Sequence, residues 1–130
     1  MKSEDDKQRE THQARILVID DNSKILDVFT RVLERDGHKV VSTESSEMAL
    51  HLYNDIRQEI DLVIVDTRMP GLDGLELARE VRKMSPGVSI LFRSSRLCGD
   101  LRTPDNSSVL NVPFTSADLR NKVELLLRGQ

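Results

Sequence analysis

Three aspartates stand where two short apolar runs stop. Asp20 and Asp21 follow Ile16-Leu17-Val18-Ile19, and Asp66 follows Leu62-Val63-Ile64-Val65. Uninterrupted runs of β-branched and aliphatic residues mark strands covered on both faces. Parallel α/β sheets bind their ligands beyond the carboxyl ends of such strands. If the two runs are neighbours, three carboxylates converge, and their repulsion calls for a cation. Taken singly, an aspartate after a strand is a helix cap or a loop residue; the group of three has the makings of a site.

The elements that must position these residues alternate in type from Arg15 onward. Strand one is predicted over Arg15 to Asp20. A helix capped by Asn22 follows, with Ile25, Phe29, Val32 and Leu33 on one face and Gly37 ending it. Strand two is expected over Lys39 to Thr43. Helix two starts near Ser45 and carries Met48, Ala49, Leu52 and Ile56. Strand three spans Asp61 to Val65 and runs into the loop Met69-Pro70-Gly71-Leu72-Asp73-Gly74. Helix three presents Leu75, Ala78, Val81 and Arg82 up to Pro86. Strand four is expected over Val88 to Phe92 and strand five over Val109 to Val112. The last helix opens on the capping box Thr115-Ser116-Ala117-Asp118 and shows Leu119, Val123, Leu126 and Leu127. Between strands four and five only Leu97 and Leu101 supply a helical stripe, so the fourth helix is degraded. The alternation predicts one α/β domain, a doubly wound parallel sheet with helices on both faces, over residues 15–130. Residues 1–14 read as a disordered, charged leader.

Composition narrows the function classes. The 130 residues carry a formal charge of -3, which argues against a dedicated nucleic-acid surface. No apolar run approaches the ~18 residues that suggest a membrane span, and the charged N-terminus has no signal-peptide core. The single cysteine, Cys98, excludes an internal disulfide and fits a reducing cytoplasm. No second cysteine or cation cluster supports a redox role for it. His12, His38 and His51 lack metal-ligand spacing and read as ordinary surface or partly buried residues.

The Asp pair, Asp66 with Met69-Pro70-Gly71-Leu72-Asp73-Gly74, Ser94 after strand four and Val112-Pro113-Phe114 after strand five together resemble the response regulator receiver domain, over about residues 15 to 128. The resemblance implies the sheet order 2-1-3-4-5, with the site at the switch point between strands one and three. It implies that Asp66 accepts a phosphoryl group from a histidine kinase or phosphotransfer protein in two-component signalling. It further implies Mg²⁺ held by Asp21, Asp66 and the backbone carbonyl of Arg68, with Asp20 acting through water. Ser94 matches the switch hydroxyl that closes on the phosphoryl group. The partner kinase would dock on Asn22 to Phe29 and the pocket loops, and output would pass through protein contacts on roughly Leu97 to Leu127. A cytoplasmic, non-enzymatic phosphoacceptor, monomeric or weakly dimeric, completes that expectation.

The sequence also departs from the family pattern. Val112 stands where these domains place a lysine before the proline, and Val109 where they place a switching aromatic residue. Arg68 and Arg96 rim the pocket and are read evenly as phosphate-tuning or solvated residues. Arg93, at a place usually apolar, is expected to pack its stem and hold its head at the surface. Two further readings stay open: a receiver fold that docks partners without phosphorylation, and, more remotely, an aspartate-nucleophile phosphatase, whose Asp-x-Asp arrangement this chain lacks.

Overall fold

In the computed structural model, residues 13–94 and 107–129 are described. Their elements, in chain order, are β1 (Arg15–Ile19), α1 (Ser23–Arg35), β2 (Lys39–Thr43), α2 (Ser46–Ile56), a 3₁₀ turn (Arg57–Glu59), β3 (Leu62–Asp66), α3 (Gly74–Met84), β4 (Ser89–Ser94), β5 (Ser107–Asn111) and α4 (Ser116–Arg128). All strand pairs are parallel, and the sheet order is β2-β1-β3-β4-β5. The expected class and order therefore hold. The degraded fourth helix, with Arg96 and Cys98, lies outside the described residues, as do residues 1–12 of the leader and His12. Ala14, read as the end of that leader, is buried, and its N–H donates to Nδ1 of His38, which is buried rather than at the surface.

Side-chain alternation along the strands divides the core in two. Leu17, Ile19, Val63, Val65, Ile90 and Phe92 pack with Ala49 and Tyr53 of α2 and Leu77, Ala78 and Val81 of α3. On the other face Ile16, Val18, Leu62, Ile64 and Leu91 meet Leu26, Phe29 and Leu33 of α1 and Leu119, Val123 and Leu126 of α4. The helices begin where their caps dictate. Asn22 accepts from the N–H groups of Lys24 and Ile25, Ser45 from Met48, and Thr115 and Asp118 form a reciprocal capping box.

Several sequence expectations are corrected in detail. Met48 is 53% exposed while Tyr53 is fully buried, because the core stripe of α2 runs through Ala49 and Tyr53. Leu26 and Leu77 are core residues that the expected faces omitted. β3 and β4 run further than expected, through Asp66 and Ser94, because Asp66 pairs laterally with Arg93. β5 begins at Ser107 and ends at Asn111, with Ser107 paired to Ile90. Ladder pairing overrides the weak strand propensity of these polar residues.

Gly74 opens α3 directly against the end of β3. A Cβ on it would collide with the backbone carbonyl of Asp66. Only glycine lets the loop return this close to the residue at the strand end. Gly74→Ala is therefore expected to lower stability by about 2 kcal/mol or more, read as a reduced urea midpoint with an unchanged slope.

A carboxylate cluster closed by a buried arginine

The two apolar runs are adjacent strands, as the cluster requires. β1 pairs with β3, Ile19 lying opposite Val65, so the chain leaves both strands side by side at their carboxyl ends. There one carboxylate oxygen from each of Asp20, Asp21 and Asp66 lies within 4.8 Å of the other two. Asp20 and Asp66 are buried, and Asp21 is exposed. Each buried carboxylate is oriented by the N–H two residues on. Asn22 donates to Oδ1 of Asp20 at 2.9 Å, and Arg68 to Oδ1 of Asp66 at 3.1 Å. Aspartate readily adopts this local loop closure.

The cation comes from the chain itself. Arg93 Nε donates to Asp20 Oδ2 at 2.5 Å and Nη2 to Asp20 Oδ1 at 3.2 Å, while Nη2 also donates to Asp66 Oδ2 at 2.8 Å. Arg93 is 8% exposed, and so the expected surface position of its head is overturned. The reason is register and phase. Asp20, Asp66 and Arg93 continue the same alternation as Val18, Ile64 and Leu91, so all three project from the face that packs on α1 and α4. Arg93 is the lateral neighbour of Asp66. To reach Asp20 its side chain must cross β3 and span two strand spacings, about 10 Å. A guanidinium on three methylenes closes that gap together with the Asp20 side chain, and grips its carboxylate with two N–H groups at once.

The remaining expected residues are placed as follows. Ser94 is buried at the end of β4, and its carbonyl accepts from the N–H of Val112 at 2.9 Å. The N–H of Thr67 donates to the carbonyl of Arg93 at 3.0 Å, tying the loop after Asp66 to β4. The Arg68 side chain is exposed. Val112 is 40% exposed and Val109 packs at the edge of the core, so neither contributes a charge or a ring. Arg93 is the residue of the cluster that sequence reasoning placed wrongly. The available signal was an arginine two positions past Leu91, in the phase of a buried face.

A model of the response regulator receiver domain matches residues 16–123. The chain belongs to that family. A receiver of this kind is 30% identical over 118 residues to the response regulator receiver protein CpdR of Brucella abortus, covering 87% of this chain and 96% of that protein. It is 35% identical to the uncharacterized transcriptional regulatory protein YrkP of Bacillus subtilis over 118 residues, 88% of this chain but 49% of that protein. The receiver thus spans about half the length of that relative. A solved response regulator receiver domain from Clostridium thermocellum superposes with a TM-score of 0.78 at 33% identity, covering 89% of this chain and 95% of the other. Among the described residues of this receiver, no helix is long and apolar enough to cross a membrane.

Electrostatics at the receiver's site follow from burial and charge. Burial pushes the Asp66 carboxyl above its ordinary value of 3.8, although the Arg68 N–H and the Arg93 charge pull it down; Asp20 and Asp21 push it further up. Burial works against the Arg93 charge, but its hydrogen bond to Asp20 and the charges of Asp20, Asp66 and Asp21 hold it more basic than usual. Two measurements check this balance. Arg93→Ala leaves buried carboxylates without their partner and should cost on the order of 3 kcal/mol, read from chemical denaturation at neutral pH. A carboxyl whose value is raised on folding adds stability below its unfolded value, and that contribution is lost as pH rises through the folded value. The stability of Asp66→Asn relative to the parent protein should therefore increase as pH rises from about 3 toward neutrality.

Proposed function

We propose that this receiver accepts a phosphoryl group on Asp66 in two-component signalling, with a histidine kinase or phosphotransfer protein as donor. The observation that carries the reading is the gathering of Asp20, Asp21 and Asp66 within 4.8 Å at the carboxyl ends of β1 and β3. A scaffold has no need of three crowded carboxylates, whose mutual repulsion the single charge of Arg93 only partly offsets. In the reaction, an Asp66 carboxylate oxygen attacks the phosphorus of a phosphohistidine; the P–N bond breaks and the imidazole leaves with its electron pair. The N–H of Arg68 holds Asp66 in a fixed orientation for that attack.

The three carboxylates at this spacing suit Mg²⁺; Asp21, Asp66 and the Arg68 carbonyl would be the direct ligands, with Asp20 acting through water. When bound, Mg²⁺ supplies charge that offsets the carboxylates and the transferring group. Ser94 then serves as the switch hydroxyl, donating to the phosphoryl group. Asn22 to Phe29 is the donor's docking surface and roughly Leu97 to Leu127 the output surface, acting on another protein in the cytoplasm.

A second reading is favoured by a specific observation. Arg93 already pairs with Asp20 and Asp66, and Val112 offers no lysine to meet a phosphoryl group. On that reading the receiver docks its partner irrespective of phosphorylation. Intact-mass spectrometry after incubation with acetyl phosphate and Mg²⁺ separates the two. The phosphoacceptor reading expects one added phosphoryl group that is absent from Asp66→Ala and from samples with chelator. An unmodified mass in all three samples would replace it with the docking reading.

A further inference from the structure

We infer that Arg93 and a divalent cation are competing occupants of Asp20 and Asp66, so that metal binding requires the guanidinium to leave them. The inference deepens the phosphoacceptor reading and rests on the metal site that reading contains. Of the four carboxylate oxygens on Asp20 and Asp66, three accept N–H groups from Arg93: Asp20 Oδ1, Asp20 Oδ2 and Asp66 Oδ2. The fourth, Asp66 Oδ1, accepts the N–H of Arg68. Mg²⁺ binds carboxylate oxygen at about 2.0–2.1 Å and demands near-octahedral geometry. Drawing ligands from this cluster would set a doubly charged ion a few ångströms from a buried guanidinium, with little water between them to screen the repulsion.

The way in is open on one side. Asp21 is exposed and has a carboxylate oxygen within 4.8 Å of one on each of the two buried aspartates. A cation arriving from solvent meets Asp21 first and then contends with Arg93 for the rest. Arg93 cannot answer by moving its backbone. Its carbonyl accepts from Thr67, and β4 is flanked by β3 and β5. It must release the carboxylates by rotating its side chain. At rest Arg93 holds Asp20 and Asp66 without metal, and the cation is admitted only at the cost of breaking those ion pairs.

Calorimetric titration of Mg²⁺ into the parent protein, Arg93→Ala and Arg93→Gln tests this, with circular dichroism of each to establish folding. The expected result is at least tenfold tighter Mg²⁺ binding in the variants than in the parent. Because the variants are destabilised, the parent supplies an independent readout. The Arg93 Nε–H resonance, assigned by its absence from a folded variant or by selective labelling, should shift or vanish as Mg²⁺ saturates. Equal or weaker Mg²⁺ binding in folded variants overturns the competition while leaving the metal site intact. A Nε–H signal that is unchanged at saturating Mg²⁺ does the same. Absence of Mg²⁺ binding in every protein overturns both the competition and the metal site it rests on.

Discussion

Three negative charges collected at one end of a sheet repel one another, and burial of two of them deprives that repulsion of water's screening. The ion pairs from Arg93 to Asp20 and Asp66 are what make such a cluster tolerable inside a folded domain. Much of the local architecture serves them. Lateral pairing of Asp66 with Arg93 extends β3 and β4 into polar sequence. Local N–H donors fix the carboxylates, and a glycine lets α3 start hard against the strand end. Removing water from an ion pair is expensive, so geometry has to be good for it to hold. Two N–H groups on one carboxylate and a shared third contact meet that condition.

The arginine also changes how the family's chemistry must be read in this chain. The resemblance places a lysine at the position of Val112, just after β5, and here that residue is apolar and 40% exposed. A cation is nevertheless present, supplied from β4 rather than β5. A guanidinium is planar, always charged and able to hold two oxygens at once, whereas an ammonium is a compact point charge. The two are not equivalent partners for a carboxylate cluster or for a phosphoryl group. Conserving the sign of the charge while moving its origin keeps the fold and alters the terms on which the site is entered.

Class and the three aspartates were legible in the sequence because each depends on local pattern, whereas the strand order followed only from the family resemblance. Four-residue apolar runs specify buried strands, and aspartates directly after them fall at the carboxyl edge by construction. Arg93 was not legible, because its fate depends on which strand lies beside β4 and in what register. The same residue at the other phase of the alternation would point toward α2 and α3. Strand ends were misjudged for a related reason: Asp66, Arg93 and Ser107 have poor strand propensity, and only their ladder partners hold them extended. Met48 was assigned to the buried face and Tyr53 was left off it because two apolar stripes are available on α2, and the sheet decides which is covered.

The hydrogen bond from Thr67 to the carbonyl of Arg93 has a mechanical consequence. A cation carried on a terminal loop can be drawn toward an arriving anion, carrying backbone with it and so broadcasting the event. Here the charge hangs from an interior strand whose peptide is clamped to its neighbours. Its only freedom is torsional, and such rotations are fast and leave little trace in the main chain. The domain therefore holds its counter-charge on a stiff mount, and any message sent from the pocket has to travel through a group other than the one that balances its charge.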